Sequence, residues 1–252
     1  MGAFYGNITL AGVKPDQVAK TLRGRRAITT SSASDHVVVF DSVCDAQDIE
    51  AMQSLAAQIT HELSCHALAI LVHDDDVFVY FLFRNGELMD SYNSCPSYFE
   101  FGSTKNATAP EGGKAELLVE AFGKGDPNKL QLILRKPQGR QGYVFETKRH
   151  ADLAKALSLP QFAVGTALAN FERKEYPTGI SKGEFKWAED APSQELDRQR
   201  REDWSLYNSL GDEDLLRPCK HEGCKRGAIR FSVLCKRHHF EMLHKRDCPF
   251  EH

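Results

Sequence analysis

The sequence predicts an α+β fold, in which a mixed sheet carries packed helices and closes with an antiparallel three-stranded meander. A helical part and a small C-terminal module follow. Runs of β-branched and aromatic residues alternate with helical periodicity over residues 1–100, which favours a sheet covered by helices. Asn85-Gly86 lies between two such runs, and this pair is the strongest short-range signal for a β-hairpin. Cysteine and histidine cluster after residue 210, which predicts the separate module.

The composition is that of an ordinary globular protein. Charged residues occupy 27% of the 252 positions and apolar residues 41%, which fits one large domain with a small appendage. No apolar run approaches the roughly 18 residues of a membrane-spanning helix. The start, MGAFYGNITL, lacks the basic and long apolar regions of a secretory signal. We therefore expect a cytoplasmic protein without a membrane partner.

The charge is unevenly distributed along the chain. The net charge is −3, but from Arg217 to the end nine Lys and Arg face four Asp and Glu, a balance of +5 that leaves about −8 for the rest. This asymmetry predicts a small basic module on an acidic body. We divide the chain into a body at 1–180, a charged linker or exposed helix at 181–210, and the module at 211–252.

The N-terminal part of the body predicts alternating strands and helices. In chain order we expect a strand, a helix, a polar loop, a buried strand and a second helix: Phe4–Leu10, Lys14–Gly24, Thr29–Asp35, His36–Phe40 and Ala46–Leu63. Pro15 suits the first turn of a helix. The run HVVVF at His36 is too short and too apolar for anything but a buried strand. Asp45 is the predicted N-cap of the second helix.

The densest β segment predicts the meander, and weaker patterns follow it. The three meander strands are Leu68–Val72, Val77–Phe83 and Glu87–Tyr92. Beyond them we expect a polar loop, helices from Lys114 onward, a short strand, a helix and a final amphipathic piece. The loop, the strand, the last helix and the amphipathic piece are Thr104–Gly113, Tyr143–Phe145, His150–Leu157 and Phe162–Asn170.

The strongest functional signal is the spacing C-x4-C-x10-C-x2-H near the C-terminus. Its four positions are Cys219, Cys224, Cys235 and His238. Zinc prefers four thiolate or imidazole ligands in a tetrahedron, and the segment is too polar for these residues to be core fillers. The alternative, a redox or disulfide role, is disfavoured in a reducing compartment. We predict one structural zinc, with His239 as the alternative fourth ligand.

The elements expected around this spacing resemble a treble-clef finger. Arg226–Leu234 alternates apolar and polar residues, as in a short hairpin, and Cys235–Lys245 has helical character. Cys235 and a histidine three positions later share one helix face. Six basic residues surround the expected metal and are candidate contacts to nucleic-acid phosphates: Lys220, Lys225, Arg226, Arg230, Lys236 and Arg237. A Cys3His zinc centre is itself anionic, so part of this positive charge serves the metal.

Three motifs of the body, from residue 4 to about 180, carry a second resemblance. They are LVHDDDVFVYFLFRNGELMDSYNSCPSYF at Leu71–Phe99, YVFETKRHADLAKALSLP at Tyr143–Pro160 and AVGT at Ala163–Thr166. The body resembles a family of uncharacterised bacterial proteins, whose members share an HD-x-DV strand pair, a YNS-x-P-x-YF segment and a later F-x3-RH-x2-LA-x-AL-x-LP pattern. The resemblance implies no activity, because none is established for that family.

Other polar clusters are weaker candidates for a site. His73–Asp76 offers an imidazole and three carboxylates, which could hold a divalent cation or serve acid–base chemistry, but Asp is also a preferred turn residue. The histidines of HELSCH, His61 and His66, are five apart, whereas a zinc-protease helix needs a spacing of four. Arg149-His150 could bind an acidic group, although we interpret it as a solvated helix face. The scattered thiols of Cys44, Cys65 and Cys95 predict no site.

Three function classes follow from these observations. The preferred one is a non-catalytic binding or regulatory protein whose finger stabilises the C-terminus or recognises a protein partner. The second is a nucleic-acid-binding protein that acts through the basic finger. Its binding is expected to be weak, because the acidic body repels a polyanion. The third is a hydrolase-like enzyme using the His73–Asp76 cluster. The sequence contains no phosphate-cradling glycine loop, Ser-His-Asp order or dinucleotide fingerprint.

Overall fold

The computed structural model describes residues 2–31, 36–99 and 109–250, and the chain divides into two compact units, Met1–Ala191 and Pro192–His252. Residues 32–35 and 104–108, which belong to the two predicted polar loops, lie outside the described residues. Among the described residues, no helix combines the length and apolar character needed to cross a membrane.

The first unit is built on one sheet of eight strands. In chain order they are β1 (Tyr5–Ala11), β2 (Ala27–Ser31), β3 (His36–Asp41), β4 (His66–His73), β5 (Val77–Arg84), β6 (Glu87–Asn93), β7 (Glu111–Gly112) and β8 (Phe185–Trp187). Across the sheet their order is β7-β6-β5-β4-β1-β3-β2-β8. The α+β class and the meander are confirmed. Every pairing between the described strands of this sheet is antiparallel, so the expectation of a mixed sheet was wrong.

Helices cover both faces of this sheet. They are α1 (Pro15–Thr21), α2 (Ser42–Asp45), α3 (Ile49–Leu63), α4 (Ala115–Phe122), α5 (Pro127–Arg135), α6 (Glu146–Ala156) and α7 (Leu168–Glu172). Successive side chains of a strand point to opposite faces. In β5, Val79 and Phe81 therefore join α3 in one apolar core, while Phe78 and Tyr80 join α4, α5 and α6 in the other. Burial on both faces explains why β5 is apolar throughout.

The hairpin between β5 and β6 forms at the predicted pair. Asn85 and Gly86 both have positive φ, 50° and 88°, and the flanking Arg84 and Glu87 are paired. Both central residues of a type I′ turn need this conformation, which Asn and Gly adopt at little cost. The local sequence was sufficient here because the turn needs no distant contact.

Two local predictions were wrong, and in the first of them distant partners decide the structure. The polar segment that begins at Thr29 is not a loop as far as it is described: it continues β2, which pairs with β3 on one side and β8 on the other. Thr29 and Thr30 are buried, and their β-branched side chains suit a strand. No strand forms at Tyr143–Phe145, where Tyr143 makes only an isolated bridge to Gln138.

The N-cap of the long helix is Asp48, not Asp45 as predicted. The Asp48 carboxylate accepts a hydrogen bond from the Ala51 N–H at 3.0 Å. Gln47, with φ of 53°, separates the short helix α2 from α3. Asp45 instead accepts hydrogen bonds from the backbone N–H groups of Leu168 and Ala169, at the start of α7.

The second unit is small and contains α8 (Gln194–Ser209), β9 (Glu213–Pro218), β10 (Gly227–Ile229) and α9 (Lys236–His244). Its described apolar cluster contains the buried residues Tyr207, Phe240 and Cys248, with Leu210 and Phe250 packed against them, and Ala228 and Ile229 of β10 are buried as well. Within the predicted linker or exposed helix at 181–210, Phe185–Trp187 forms β8 of the first unit and Gln194–Ser209 forms α8, a mostly exposed helix of the second. The predicted hairpin over Arg226–Leu234 is replaced by pairing of β10 with β9, the strand before the cysteine-containing connection.

Candidate metal centre

Strand pairing and helix capping bring the four predicted metal ligands together. Pro218 of β9 pairs with Gly227 of β10, so the connection that carries Cys219 and Cys224 is drawn into a tight loop. The Cys219 N–H donates to the Arg226 carbonyl at 2.9 Å and closes that loop. Cys235 is the N-cap of α9, and His238 lies in the first turn of the same helix.

The donor atoms of this set form one compact cluster. One ligand atom from each of Cys219, Cys224, Cys235 and His238 lies within 4.8 Å of all the others. The Cys224 and Cys235 sulfurs are 3.9 Å apart, and the His238 Nδ1 lies 3.4 Å from the Cys219 sulfur and 3.3 Å from the Cys235 sulfur. Cys219 and Cys235 are buried, while the other two are half-buried. This Cys3His cluster can hold a metal ion.

Backbone amides and burial shape the acidity of the thiols. The Cys235 N–H donates to the Cys219 sulfur at 3.2 Å. Burial alone would raise the pKa of the Cys219 thiol, but backbone N–H groups of His221 and Cys235 lower it below its ordinary value. Burial raises the pKa of Cys235 to about 12. A cation bound at the cluster must therefore displace a thiol proton, because the thiolate is the ligand.

The neighbouring histidines are placed differently from His238. The His239 Nδ1 lies 2.9 Å from the Ser232 hydroxyl, and His239 is not part of the cluster. The exposed ring of His221 stacks on the His238 ring, with centroids 3.7 Å apart and planes inclined by 12°. The alternative fourth ligand is thus engaged elsewhere, and His238 is the histidine that faces the cysteines.

The six candidate phosphate-binding residues divide into two groups. Arg226 forms an ion pair with Glu213, and Arg237 forms one with Glu241. The Lys236 ammonium lies 5.5 Å from the centre of the Tyr207 ring. These three are engaged inside the second unit. The side chains that remain exposed are those of Lys220, Lys225 and Arg230.

Glu213 is a structural residue that sequence reasoning did not identify. Its carboxylate accepts hydrogen bonds from the Arg226 guanidinium and, at 2.8 Å, from the Lys236 N–H in the first turn of α9. It thereby fixes the helix start that positions Cys235 and His238. The only signal in the sequence is the acidic run Asp212–Asp214 ahead of the basic segment.

Charge within the second unit is nearly balanced. Pro192–His252 contains twelve Lys and Arg and eleven Asp and Glu, because α8 and β9 bring acidic residues into the unit. The unit therefore carries about +1, and the predicted contrast between a basic tail and an acidic body is much reduced.

The His73–Asp76 cluster has the contacts of a turn. Asp74 and Asp75 have positive φ, and the Asp75 carboxylate accepts from the Thr147 N–H at 2.7 Å, at the start of α6. The His73 Nδ1 lies 2.6 Å from the side-chain oxygen of Gln47. The Asp76 carboxylate oxygens lie 3.5 Å from the Tyr98 hydroxyl and 3.4 Å from the Gln138 side-chain nitrogen. These contacts support the interpretation of the segment as a turn.

Arg149 and His150 are not on a solvated helix face, contrary to the prediction. Both are buried. Arg149 pairs with the equally buried Glu146 and donates to the carbonyls of Ile133 and Lys136. The His150 Nδ1 lies 2.8 Å from the Tyr5 hydroxyl. The prediction was wrong because α6 is polar in sequence, whereas Glu146 and Arg149 pair with each other inside the fold.

The remaining candidates belong to the first unit. His61 lies in α3 and His66 in β4, so HELSCH spans a helix end and a strand start. Cys44, Cys65 and Cys95 are buried cysteines of the first unit. Burial raises the pKa of Cys44 well above its ordinary value and that of Cys65 to about 11. Such thiols are unreactive at neutral pH.

Comparison with known proteins adds no family assignment to this geometry. No protein-family model, no curated protein and no solved structure matches the chain.

Proposed function

We propose that the chain is a zinc-binding, non-catalytic protein whose second unit is a treble-clef-like module that recognises a protein partner. The observation that carries this proposal is the Cys3His cluster of Cys219, Cys224, Cys235 and His238. Thiolates select soft or borderline metals, and zinc is the one that commonly takes four such ligands in proteins. We further propose that the body belongs to the bacterial family that it resembles, and that the protein is cytoplasmic.

The spacing of the donor atoms supports zinc. A tetrahedral zinc with Zn–S bonds of about 2.3 Å and a Zn–N bond of about 2.0 Å separates two sulfurs by about 3.8 Å and a sulfur from the nitrogen by about 3.5 Å. The corresponding distances in the cluster are 3.9 Å between the Cys224 and Cys235 sulfurs and 3.4 and 3.3 Å to the His238 Nδ1. These three distances are close to those that a bound zinc requires, and the remaining donor pairs lie within 4.8 Å of each other.

A structural role follows from the number of ligands. Catalytic zinc keeps one position open for water or substrate, whereas four protein ligands close the site. The described apolar cluster of the second unit is small, with three buried residues and two half-buried ones, so we infer that the metal supplies much of the order of the loop that carries Cys219 and Cys224. We infer that zinc stabilises the surface on which the partner binds.

Metal analysis of the purified chain tests this proposal. We expect one zinc per chain, and loss of stoichiometric zinc in Cys235→Ser because one ligand of a buried site is removed. His238→Ala should weaken zinc binding by at least about tenfold, whereas His239→Ala should keep it, since His239 bonds to Ser232 instead. A metal-free chain, or a His239→Ala variant that loses zinc while His238→Ala retains it, would refute the assignment.

Nucleic acid is the second candidate partner, favoured by the exposed side chains of Lys220, Lys225 and Arg230. The near-neutral charge of the second unit argues against it, because affinity for a polyanion depends on releasing counterions with an excess of cations. We therefore expect at most weak, salt-sensitive binding.

A further inference from the structure

A cluster of large apolar side chains is exposed on the second unit beside the metal centre. Leu215 and Leu216 of β9 are 79% and 92% exposed, and Phe231 and Val233, in the turn after β10, are 87% and 52% exposed. These four residues are called the apolar patch. Scattered exposed apolar residues are ordinary in proteins, but a concentration of them in two adjacent short segments marks an interaction site.

Hydrogen bonds hold the two segments of the apolar patch side by side. The register of β9 and β10 shifts at Gly227, which leaves Leu215 and Leu216 in a bulge. The Asp214 carboxylate accepts from the Leu216 N–H at 2.9 Å. The neighbouring Arg217 guanidinium donates to the carbonyls of Arg230 and Ser232, the residues on either side of Phe231, at 3.2 and 3.1 Å. One arginine thus links the bulge to the turn.

The turn that carries Phe231 is closed by hydrogen bonds of its own. It is also hydrogen-bonded to the connection that carries Cys219 and Cys224, which we call the cysteine loop. The Ser232 N–H donates to the Ile229 carbonyl, and the Ile229 N–H donates to the Leu234 carbonyl. The Lys220 N–H donates to the Val233 carbonyl at 2.9 Å. The apolar side chains are therefore presented by an ordered backbone, which reduces the entropy lost when a partner binds.

Exposed cations border the apolar patch. Arg217, Lys220 and Arg230 are exposed, and within the described part of the chain none of them forms an ion pair. The Arg230 guanidinium lies 5.3 Å from the centre of the Phe231 ring. A complementary surface combines apolar side chains for Leu216 and Phe231 with carboxylates for these cations.

We propose that the apolar patch binds a short segment of a partner protein in which leucine-like or aromatic residues are flanked by Asp and Glu. The proposal rests on the proposed function, because the metal centre holds the cysteine loop to which the turn is attached. Aromatic and aliphatic anchors supply the affinity of such interfaces, and the surrounding charges select the partner.

Charge and side-chain type favour this occupant over a lipid surface or a nucleic acid. An anionic membrane or a polynucleotide responds to the charge of the whole unit, which is about +1, and Asp212 and Asp214 lie exposed next to Leu215. A short segment, by contrast, can place its carboxylates individually against Arg217, Lys220 and Arg230, so it does not depend on the charge of the whole unit. Three of the four apolar side chains are aliphatic, and these offer no stacking surface for bases.

Peptide selection on the full zinc-loaded chain tests the proposal. A random-peptide phage library is panned on the immobilised chain, and the selected peptides are resynthesised and measured by fluorescence anisotropy. We expect a consensus of apolar residues flanked by Asp or Glu. The variants Leu216→Ser/Phe231→Ser and Lys220→Glu/Arg230→Glu should each weaken binding at least about tenfold.

Matched controls separate this proposal from its alternatives. Leu243→Ser removes another exposed leucine of the unit, eight positions along the chain from Cys235, and should leave peptide affinity unchanged. Zinc content is measured on every variant, so that absence of zinc from the wild-type chain identifies failure of the proposed function instead. Selected peptides without acidic residues, or equal binding by the Leu216→Ser/Phe231→Ser variant, would overturn the proposal. So would binding of phosphatidylserine vesicles or single-stranded oligothymidylate that depends on these residues when no peptide is selected.

Discussion

Arg149 places a full positive charge in the core of the first unit, and its contacts explain why this is tolerated. Its Nε and an Nη atom bond to the two carboxylate oxygens of Glu146 at 2.6 and 3.1 Å, and its other Nη atom donates to two carbonyls near the end of α5. The Tyr143 ring lies 4.5 Å from the guanidinium carbon. A guanidinium has five N–H donors in a fixed planar fork, enough for all four of these bonds, whereas a lysine ammonium has only three.

His150, the next residue, is buried as a neutral imidazole. Burial lowers its pKa to about 3 and raises the pKa of Tyr5, so the Tyr5 hydroxyl donates to the His150 Nδ1 at neutral pH. The rings of Tyr5 and Phe78 stack on the imidazole. The proton of the neutral ring therefore resides on Nε2.

The neutral state of His150 predicts a pH dependence of stability. In the unfolded chain the imidazole has a pKa of about 6.5. Below pH 6.5 it is therefore mostly protonated in the unfolded state, while it stays neutral in the native state. The stabilisation is present above pH 6.5 and is lost as the pH falls, by about 2 kcal/mol between pH 6.5 and 5. The measurement is urea unfolding of the wild type and of His150→Gln at both pH values.

The comparison with His150→Gln isolates this effect from an opposing one. Burial raises the pKa of Asp45 to about 6, so this carboxyl makes the native state more stable as the pH falls below 6. Both proteins contain Asp45, and its contribution cancels in the difference between them. Equal pH dependence of the two proteins would show that His150 is not buried as a neutral ring.

At the scale of elements, α6 depends on a residue far away in sequence. The backbone carbonyl of Asp75 accepts from the Glu146 N–H at 2.9 Å, and its carboxylate accepts from the Thr147 N–H at 2.7 Å. The first N–H groups of a helix have no partner inside the helix. The turn between β4 and β5 therefore caps α6, which is a structural task for part of the His73–Asp76 cluster.

Substitution of Asp75 tests this capping role. Asp75→Ala should lower the free energy of unfolding of the first unit by about 1–2 kcal/mol, because the cap is lost and alanine disfavours positive φ. Asp75→Asn should stay within about 0.5 kcal/mol of the wild type, because asparagine accepts the same bond and tolerates that backbone conformation. Thermal or urea unfolding measures both. An equal loss in the two variants would point to a role for the carboxylate charge instead of the cap.

The elements that could be predicted from sequence are those whose determinants lie close together in the chain. HVVVF formed the expected strand because apolar β-branched residues suit a sheet buried on both faces. The spacing was also sufficient to predict the Cys3His cluster, since Cys235 and His238 share one helical turn. Asp45 was misplaced because its partners are 123 and 124 residues away. Thr29 was misplaced because β3 and β8 provide the pairing that its own polarity does not suggest.

At the scale of the whole molecule, the first unit extends beyond the predicted end at residue 180. Phe185–Trp187 pairs with β2, and beyond it the Ala188 N–H donates to the Ala27 carbonyl at 2.9 Å. The Gly24 N–H donates to the Glu189 carbonyl at 2.7 Å. Ala188 is buried in the core that contains α3. A sequence with so many charges after Ser181 does not reveal that a short stretch of it completes a sheet.

Truncation at two positions tests this boundary. A chain that ends at Ala191 should unfold cooperatively, because it keeps every strand of the first unit. A chain that ends at Ile180 lacks β8, which exposes the edge of β2 and the rings of Phe171 and Tyr176 that pack against Phe185. We expect its free energy of unfolding to be lower by about 2 kcal/mol, roughly the value of one buried aromatic side chain. Urea unfolding followed by circular dichroism measures both chains. The boundary of the first unit would lie elsewhere if the two chains were equally stable, or if the chain that ends at Ala191 aggregated and the chain that ends at Ile180 did not.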